Sequence, residues 1–343
     1  MKKAAVEDAV GQILCHDMTQ IVPEKSKGAR FRKGHIVQKE DIPVLLSMGK
    51  SHIYIWEQEA GMLHEEEAAR RLAALCKNDG MKESEVVEGK IELSAEHDGL
   101  FRIDLERFYK VNSIQDIIIA ARHSLSPVKA GGKLAGMRVI PLVIQEEIIL
   151  KAEEAAGLGT KPLFELLPYK LKTAGLLITG SEVAKGIIED AFTPLLTERL
   201  AEFGISIEKR LTAADGTENV LSGINELRRS KPDIIICTGG MSVDPDDNTP
   251  GAIKRSGAEV ITHGAPLLPG SMFMLAYFDD GTPIMGIPGG MLFKKKHAGI
   301  FDVVMPRLAA RVRMTKTDFV HLSNGGLCLS CPECHYPICP YGL

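Results

Sequence analysis

Apolar residues are spaced most regularly after Thr173. Ala174 to Thr179 is an unbroken apolar run that reads as a buried strand, and Phe192, Leu195, Leu196, Leu200 and Phe203 then recur at helical spacing until Gly204 stops the helix. Ile205 to Arg210 is the next strand, Val220, Leu221, Ile224 and Leu227 mark the face of a second helix, and Ile234 to Thr238 is a third strand. Strands alternating with helices of this length require right-handed crossovers. The pattern therefore predicts an α/β domain over 173–320, a parallel sheet with helices on both faces. Ligands bind such sheets beyond the carboxyl ends of the strands.

Upstream the periodicity is weaker and points to smaller α+β or β-rich regions. Residues 1–59 read as a small unit with turns at Lys33-Gly34 and Met48-Gly49, a short helix from Glu40 to Met48 and an alternating strand from Ser51 to Trp56. Residues 60–172 read as an α+β region. An amphipathic helix from Met62 to Lys77 carries Leu63, Ala68, Leu72 and Leu75 on one face and breaks at Asn78-Asp79-Gly80. Strands are expected at Gly89 to Leu93, Leu100 to Ile103 and Met137 to Ile144, with a helix from Ser113 to Arg122.

Length changes this picture little: 343 residues exceed one usual core and suit two or three domains. The net charge of -4 gives no basic footprint for nucleic acid, and six Tyr with one Trp offer few stacking platforms. No apolar run approaches the ~20 residues that cross a bilayer, and Met1-Lys2-Lys3 opens no signal peptide, so a cytoplasmic protein without a membrane partner is expected. The seven cysteines are unevenly placed. Cys15, Cys76 and Cys237 read as buried small hydrophobes, whereas Cys328, Cys331, Cys334 and Cys339 crowd a tail at 321–343. In a reducing compartment such a cluster binds metal more readily than it forms disulfides. Three thiolates at every third residue suit an iron–sulfur cluster, and zinc with four sulfurs, or with His335 replacing one, is the direct rival.

The densest chemistry lies at residues 238–250. Gly239, Gly240 and the helix start at Thr249-Pro250 would aim backbone N–H groups at an anion. Asp244, Asp246 and Asp247 would repel that anion unless a divalent cation such as Mg²⁺ sat between. The plainer alternative is a solvated acidic turn in which Asp247 helps cap the next helix. Thr179-Gly180-Ser181-Glu182 and Gly286 to Gly290 follow strands of the same sheet and should converge on this loop. Ser181 and Ser242 sit in no Gly-x-Ser-x-Gly elbow, which favours donor roles over nucleophilic ones. The first strand is not followed by Gly-x-Gly-x-x-Gly, which argues against a dinucleotide oxidoreductase.

These residues resemble the molybdopterin-binding domain of molybdenum cofactor biosynthesis proteins, and the arrangement is most similar to the molybdopterin molybdenumtransferases over about 173–312. The family's opening Thr-Gly-(Asp/Ser)-Glu turn is matched by Thr179 to Glu182. Its Gly-Gly-x-(Ser/Gly) loop is matched by Gly239, Gly240 and Ser242, with Asp247, Thr249 and Pro250 following. Its Pro-Gly turn is matched by Pro269-Gly270, and its late turn by Gly286 to Gly289. Gly34 to Ile55 resembles a segment of the enzymes' N-terminal domain, without their Ser-Ala-Met-Asp-Gly-Tyr-Ala loop. Ser271 stands where the family usually has lysine, Met291 where it has proline, and Ser181 where it often has aspartate.

The resemblance implies that molybdopterin, or its adenylylated form, lies across the strand ends. Its phosphates would rest on Gly239, Gly240 and the turn Pro288-Gly289-Gly290, and Thr179, Gly180, Ser181, Ser242, Thr249, Pro269, Gly270 and Ser271 would contribute contacts. Asp247 and Glu182 would hold Mg²⁺ and serve the insertion of molybdate into the dithiolene. Asp190 would cap the next helix, touch the pterin, or both. Lys294, Lys295 and Lys296 would form a solvated face or meet a phosphate. The alternative function is a non-catalytic carrier or sensor of the cofactor that serves a client molybdoenzyme through its tail. The family tends to form homodimers.

Overall fold

The apolar runs after Thr173 form the strands β1 (Thr173–Thr179), β2 (Ser206–Ala213), β3 (Ile234–Thr238), β4 (Glu259–His263), β5 (Met274–Tyr277) and β6 (Pro283–Ile287). They make one six-stranded sheet in the order β2-β1-β3-β6-β5-β4. The computed structural model describes residues 2–22, 26–55, 60–157, 159, 161–187, 189–242, 244, 247–292 and 298–342; Trp56, Asp246 and Lys294 to Lys296 lie outside the described residues. The chain divides into two compact units. One comprises 1–96, 103–122 and 131–165, and the other, which holds the six-stranded sheet, comprises 97–102, 123–130 and 166–343.

Both faces of the central strands β1, β3, β6 and β5 are covered, as their continuous apolar sequences require, while the edge strands β2 and β4 are largely exposed. Leu176, Ile178, Ile236, Met285 and Ile287 face one core with α2 (Phe192–Ala201) and α6 (Ile300–Ala309). Leu177, Ile235, Cys237 and Ile284 alternate onto the other with α3 (Thr217–Arg229) and α4 (Thr249–Arg255). Each such fully buried Leu or Ile contributes roughly 1.5–3 kcal/mol. Two one-turn helices, α1 (Ser181–Ala184) and α5 (Gly289–Leu292), begin just after β1 and β6, and α7 (Lys316–His321) follows α6.

The sheet departs from the expected all-parallel form at one side. β2, β1, β3 and β6 run parallel, but β5 is antiparallel to both β6 and β4. The reason lies in the connections. No helix intervenes between β4 and β5, and Phe278 to Thr282 alone joins β5 to β6, too short for the dozen or more residues of a parallel crossover.

In the other unit, Lys2–Ala5 pairs antiparallel with His52–Ile55, Met18–Val22 pairs with Ser26–Phe31, and the helix Asp41–Ser47 closes a core of Val6, Leu14, Phe31, Val37, Leu45 and Ile53. A four-stranded antiparallel sheet follows in the order Met81–Glu83, Ile91–Ala95, Lys133–Val139, Ile117–Ala121. Three expectations are corrected here. The segment Ser113 to Arg122 is not a helix: the helix is Leu105–Asn112 and Ile117–Ala121 is a strand. Asp104 starts the helix early by accepting the Arg107 N–H (3.2 Å), and the β-branched Ile117, Ile118 and Ile119 suit a strand better than a helix. The helix expected from Met62 begins at Glu65, because Met62–His64 pairs with Val143–Gln145. The single strand expected from Met137 to Ile144 is divided between Lys133–Val139 and Val143–Gln145.

Candidate functional site

Strand register decides which motifs meet. Thr179 pairs with Ala213, Ile178 with Thr238, Thr238 with Ile287, and Gly286 with Met274. The carboxyl ends of β1, β2, β3 and β6 are therefore level, and the reversal at β5 brings the 264–273 loop to the same edge. The turns at 180–182, 214–216, 239–242 and 288–290 and the Pro269-Gly270-Ser271 turn thus line one edge. At about 4.8 Å per strand, β1 and β5 stand about 14 Å apart. That span suits an extended ligand rather than a single small ion.

Gly239 and Gly240 are needed for their backbone. Both have positive φ (93° and 55°), and a Cβ on Gly239 would fall 2.3 Å from the Thr179 carbonyl oxygen. The turn is fastened by hydroxyls: Thr249 Oγ1 donates to the Gly239 carbonyl (2.8 Å) and stands 3.1 Å from Thr179 Oγ1. Thr179 Oγ1 also lies within donating distance of the Thr238 carbonyl (3.4 Å), so the two hydroxyls and two carbonyls form one knot. The Thr249 N–H also donates to the Gly240 carbonyl (3.2 Å), which sets the start of α4. Thr179 and Thr249 therefore act first as the internal frame of the edge. Thr238 Oγ1 is fully buried at the end of β3 and has no hydrogen-bond partner among the described residues. An unmet buried hydroxyl of this kind costs about 1–3 kcal/mol.

The carboxylates are arranged unequally. Asp247 is half-buried, and its Oδ2 accepts the Asp244 N–H (3.1 Å) while the Asp247 N–H returns to the Asp244 carbonyl (2.9 Å). Glu182 is exposed on α1, directly after Gly180. Asp190 does not stand free. Its Oδ1 accepts the Phe192 and Thr193 N–H groups (2.9 and 3.0 Å) and its Oδ2 pairs with Arg210 (2.8 Å), so it caps α2, as one of its two expected roles required. Asp215, which sequence reasoning missed, locks the first turn: its Oδ2 accepts the Ser181 N–H (3.0 Å) and its own N–H donates to Ser181 Oγ (3.1 Å). The signal for it is an Asp-Gly between strand and helix, a glycine turn of the same kind as the one at Gly239. Ser181 is thereby committed to Asp215, whereas Ser242 and Ser271 are exposed.

The remaining predicted positions follow suit. Pro288 and Gly289 are half-buried and Gly290 exposed; a Cβ on Gly289 would meet the Phe192 ring at 2.8 Å, so this turn needs glycine to lie against α2. The Pro269-Gly270 turn begins with a cis Leu268-Pro269 bond, and the Gly270 carbonyl accepts the Phe273 N–H (3.1 Å). Cys237, one residue before the strand end, is fully buried, and burial pushes its thiol up to about 12, which makes it an unreactive core residue.

Oxygen donors at this edge suit a hard cation. Magnesium is usually bound by one or two carboxylates together with substrate phosphates, a requirement that Asp247 and Glu182 meet in kind. Among the described residues, no group of three or more His, Cys, Asp or Glu side chains is assembled to hold a metal by itself, at this edge or in the tail. None of the described helices is long and apolar enough to cross a membrane.

Residues 175–310 match a family described as "Probable molybdopterin binding domain", and residues 3–57 match a domain of unknown function. The molybdopterin molybdenumtransferase of Synechococcus elongatus is 26% identical over 149 residues, 41% of this chain and 34% of that protein. The enzyme of the same name from Staphylococcus aureus is 26% identical over 155 residues, covering 43% and 36%. The chain thus spans about a third of the length of the curated relatives it matches. Among solved structures, a molybdopterin biosynthesis protein from Mycobacterium abscessus aligns with 45% of this chain and 98% of its own at 17% identity and a TM-score of 0.30.

Proposed function

We propose, on the premise that residues 175–310 are a molybdopterin-binding domain of molybdenum cofactor biosynthesis, that this chain binds adenylylated molybdopterin along the carboxyl edge of its sheet and inserts molybdate into the dithiolene. The observation that carries this reading is the register that brings the Gly180, Gly239-Gly240, Pro269-Gly270 and Pro288-Gly289 turns level on one edge. The phosphates would rest on the amides of Gly239, Gly240, Gly289 and Gly290, and the buried Thr238 hydroxyl gives the strand end an unused hydrogen-bonding group. Asp247 and Glu182 would hold Mg²⁺. When bound, that ion would offset the phosphate charge and polarise the diphosphate link. The protein's own part is to orient the pterin on a rigid edge and to keep acidic groups ready for the cation. Asp247 is suited to this because one Asp244 N–H fixes its direction without consuming both oxygens.

Purified chain incubated with adenylylated molybdopterin, Mg²⁺ and molybdate should release AMP in step with formation of the molybdenum cofactor. Tight pterin binding without AMP release would instead favour a second reading, a carrier that hands the cofactor to a client molybdoenzyme. The specific observation on that side is Ser271, exposed and uncharged where the resembling enzymes usually have lysine. Failure to bind any pterin would remove both. A homodimer belongs to the proposed reading, and its support is the resemblance alone.

A further inference from the structure

The tail is held to the domain at both ends of its cysteine run. Leu327 bridges to Leu268, and the Cys328 N–H donates to the Leu268 carbonyl (2.8 Å). Further on, Tyr336 Oη donates to the Asp302 carbonyl (2.8 Å), Tyr341 Oη to the Pro269 carbonyl (3.2 Å), and the Gly342 N–H to the Gly325 carbonyl (3.0 Å). Between these anchors the chain encloses a cavity of about 40 Å³ whose lining includes Cys328, Cys331, Cys334, His335 and Cys339. All four cysteines are free thiols. Cys334 is exposed and the other three half-buried, so the lining is reachable from solvent while its ends are fixed.

We propose that Cys328, Cys331, Cys334 and Cys339 together bind a thiolate-seeking metal centre, zinc or an iron–sulfur cluster, in the cavity they line. Four sulfurs around one small space are the donor set both centres take, and neither calcium nor magnesium accepts it. Among the described residues, these side chains are not already assembled as a closed ligand set. Closing onto a metal needs movement only of the segment between Cys328 and Tyr336, which has no helix or strand and whose ends are already pinned. Each cysteine that becomes a ligand forms one sulfur–metal bond and gives its proton to solvent, four protons for the full set. The resulting negative charge has a counter-charge nearby. Arg307, 5% exposed, reaches the Gly342 carbonyl (3.3 Å) and lies within electrostatic range of Tyr336, and its partners among the described residues are carbonyls rather than carboxylates. Since the tail grips Leu268 and Pro269, a loaded centre would also fasten the Pro269-Gly270 turn. The metal centre itself is independent of the pterin chemistry proposed above.

The test uses the full chain, purified without oxygen, in two arms: zinc alone, and equal amounts of ferrous and ferric iron with sulfide. The expected result is about one tightly held zinc ion per chain, or iron and sulfide with the visible absorption of a cluster. Loading the metal-free chain with zinc should release up to about four protons in weak buffer, and in either arm amide exchange at Leu268 and Ser271 should slow. The double variant Cys331→Ser, Cys334→Ser should lose at least tenfold of the metal; should it fail to fold, proton release from the unaltered chain still decides. The proposal is overturned if neither arm leaves metal on the chain, or if all four tail thiols react with maleimide as fast after metal addition as before it. Metal binding with unchanged exchange at Leu268 and Ser271 would overturn the fastening of the turn.

Discussion

Asp233, at the amino end of β3, accepts the Lys172 and Thr173 N–H groups (2.7 and 3.1 Å) and pairs with Arg311 (2.8 Å), whereas Asp247, beyond the carboxyl end of the same strand, accepts one N–H from its own loop (3.1 Å). The first acid is used up in joining neighbouring segments. The second keeps oxygen lone pairs in hand. One end of the sheet is thus built as a fastening, the other as a surface on which charge can still be received, and the carboxylates reveal which is which by how fully they are bonded.

The strongest way to break this contrast is to disturb the edge backbone itself. Gly239→Ala places a Cβ against the Thr179 carbonyl in a left-handed conformation and should cost about 3 kcal/mol or more in urea unfolding, together with pterin binding. Ordinary stability in that variant would show that the turn yields freely and is no rigid platform. Asp247→Ala should lower metal-dependent turnover by about 100-fold, some 2.7 kcal/mol, and stability by no more than about 1 kcal/mol. A large fall in melting temperature with normal turnover would make Asp247 a second Asp233.

Asp233→Asn should do the reverse, costing about 1–2 kcal/mol in stability with turnover preserved. Burial raises the Asp233 pKa, but the Lys172 and Thr173 N–H groups and Arg311 outweigh it and hold the carboxyl below the usual range. The sign follows: this stabilisation is complete above the unfolded value of about 3.9 and is lost as the pH falls through the lower folded value. The gap between the parent and Asp233→Asn should therefore be constant at neutral pH and close in the acid range below about pH 4, as thermal melts across that range would show. A gap that instead opened on acidification would refute the assignment. The smallest effect is expected from Ser271→Lys, which should tighten pterin binding several-fold, on the order of 1 kcal/mol, by adding a cation beside phosphate. No change would place Ser271 outside the ligand's reach.

The six-stranded sheet was readable because its central strands β1, β3, β6 and β5 are buried on both faces, so that apolar runs and helical spacing were not confused with each other. The carboxyl edge was readable for a related reason: glycine at 239 and 240 is enforced by backbone geometry, and such positions show in any sequence. What could not be read was partnership. Asp190 and Asp215 are both acids near a helix start, and only the fold shows that one is bonded to N–H groups of α2 and Arg210 while the other is locked to Ser181. The reversal at β5 depended on counting connection lengths rather than apolar period. Ile117 to Ile119 failed as a helix because apolar period alone does not distinguish a short strand from a helix, and the β-branched side chains needed more weight.

The reversal at β5 also leaves a convenience on the far side of the sheet. Asp279, Asp280 and Gly281 are exposed at the turn joining β5 to β6, level with the amino ends of the parallel strands. A fluorophore or surface-immobilisation tag grafted at Gly281 would therefore sit a full strand length from the ligand loops, a site for attaching a reporter while leaving the working edge untouched.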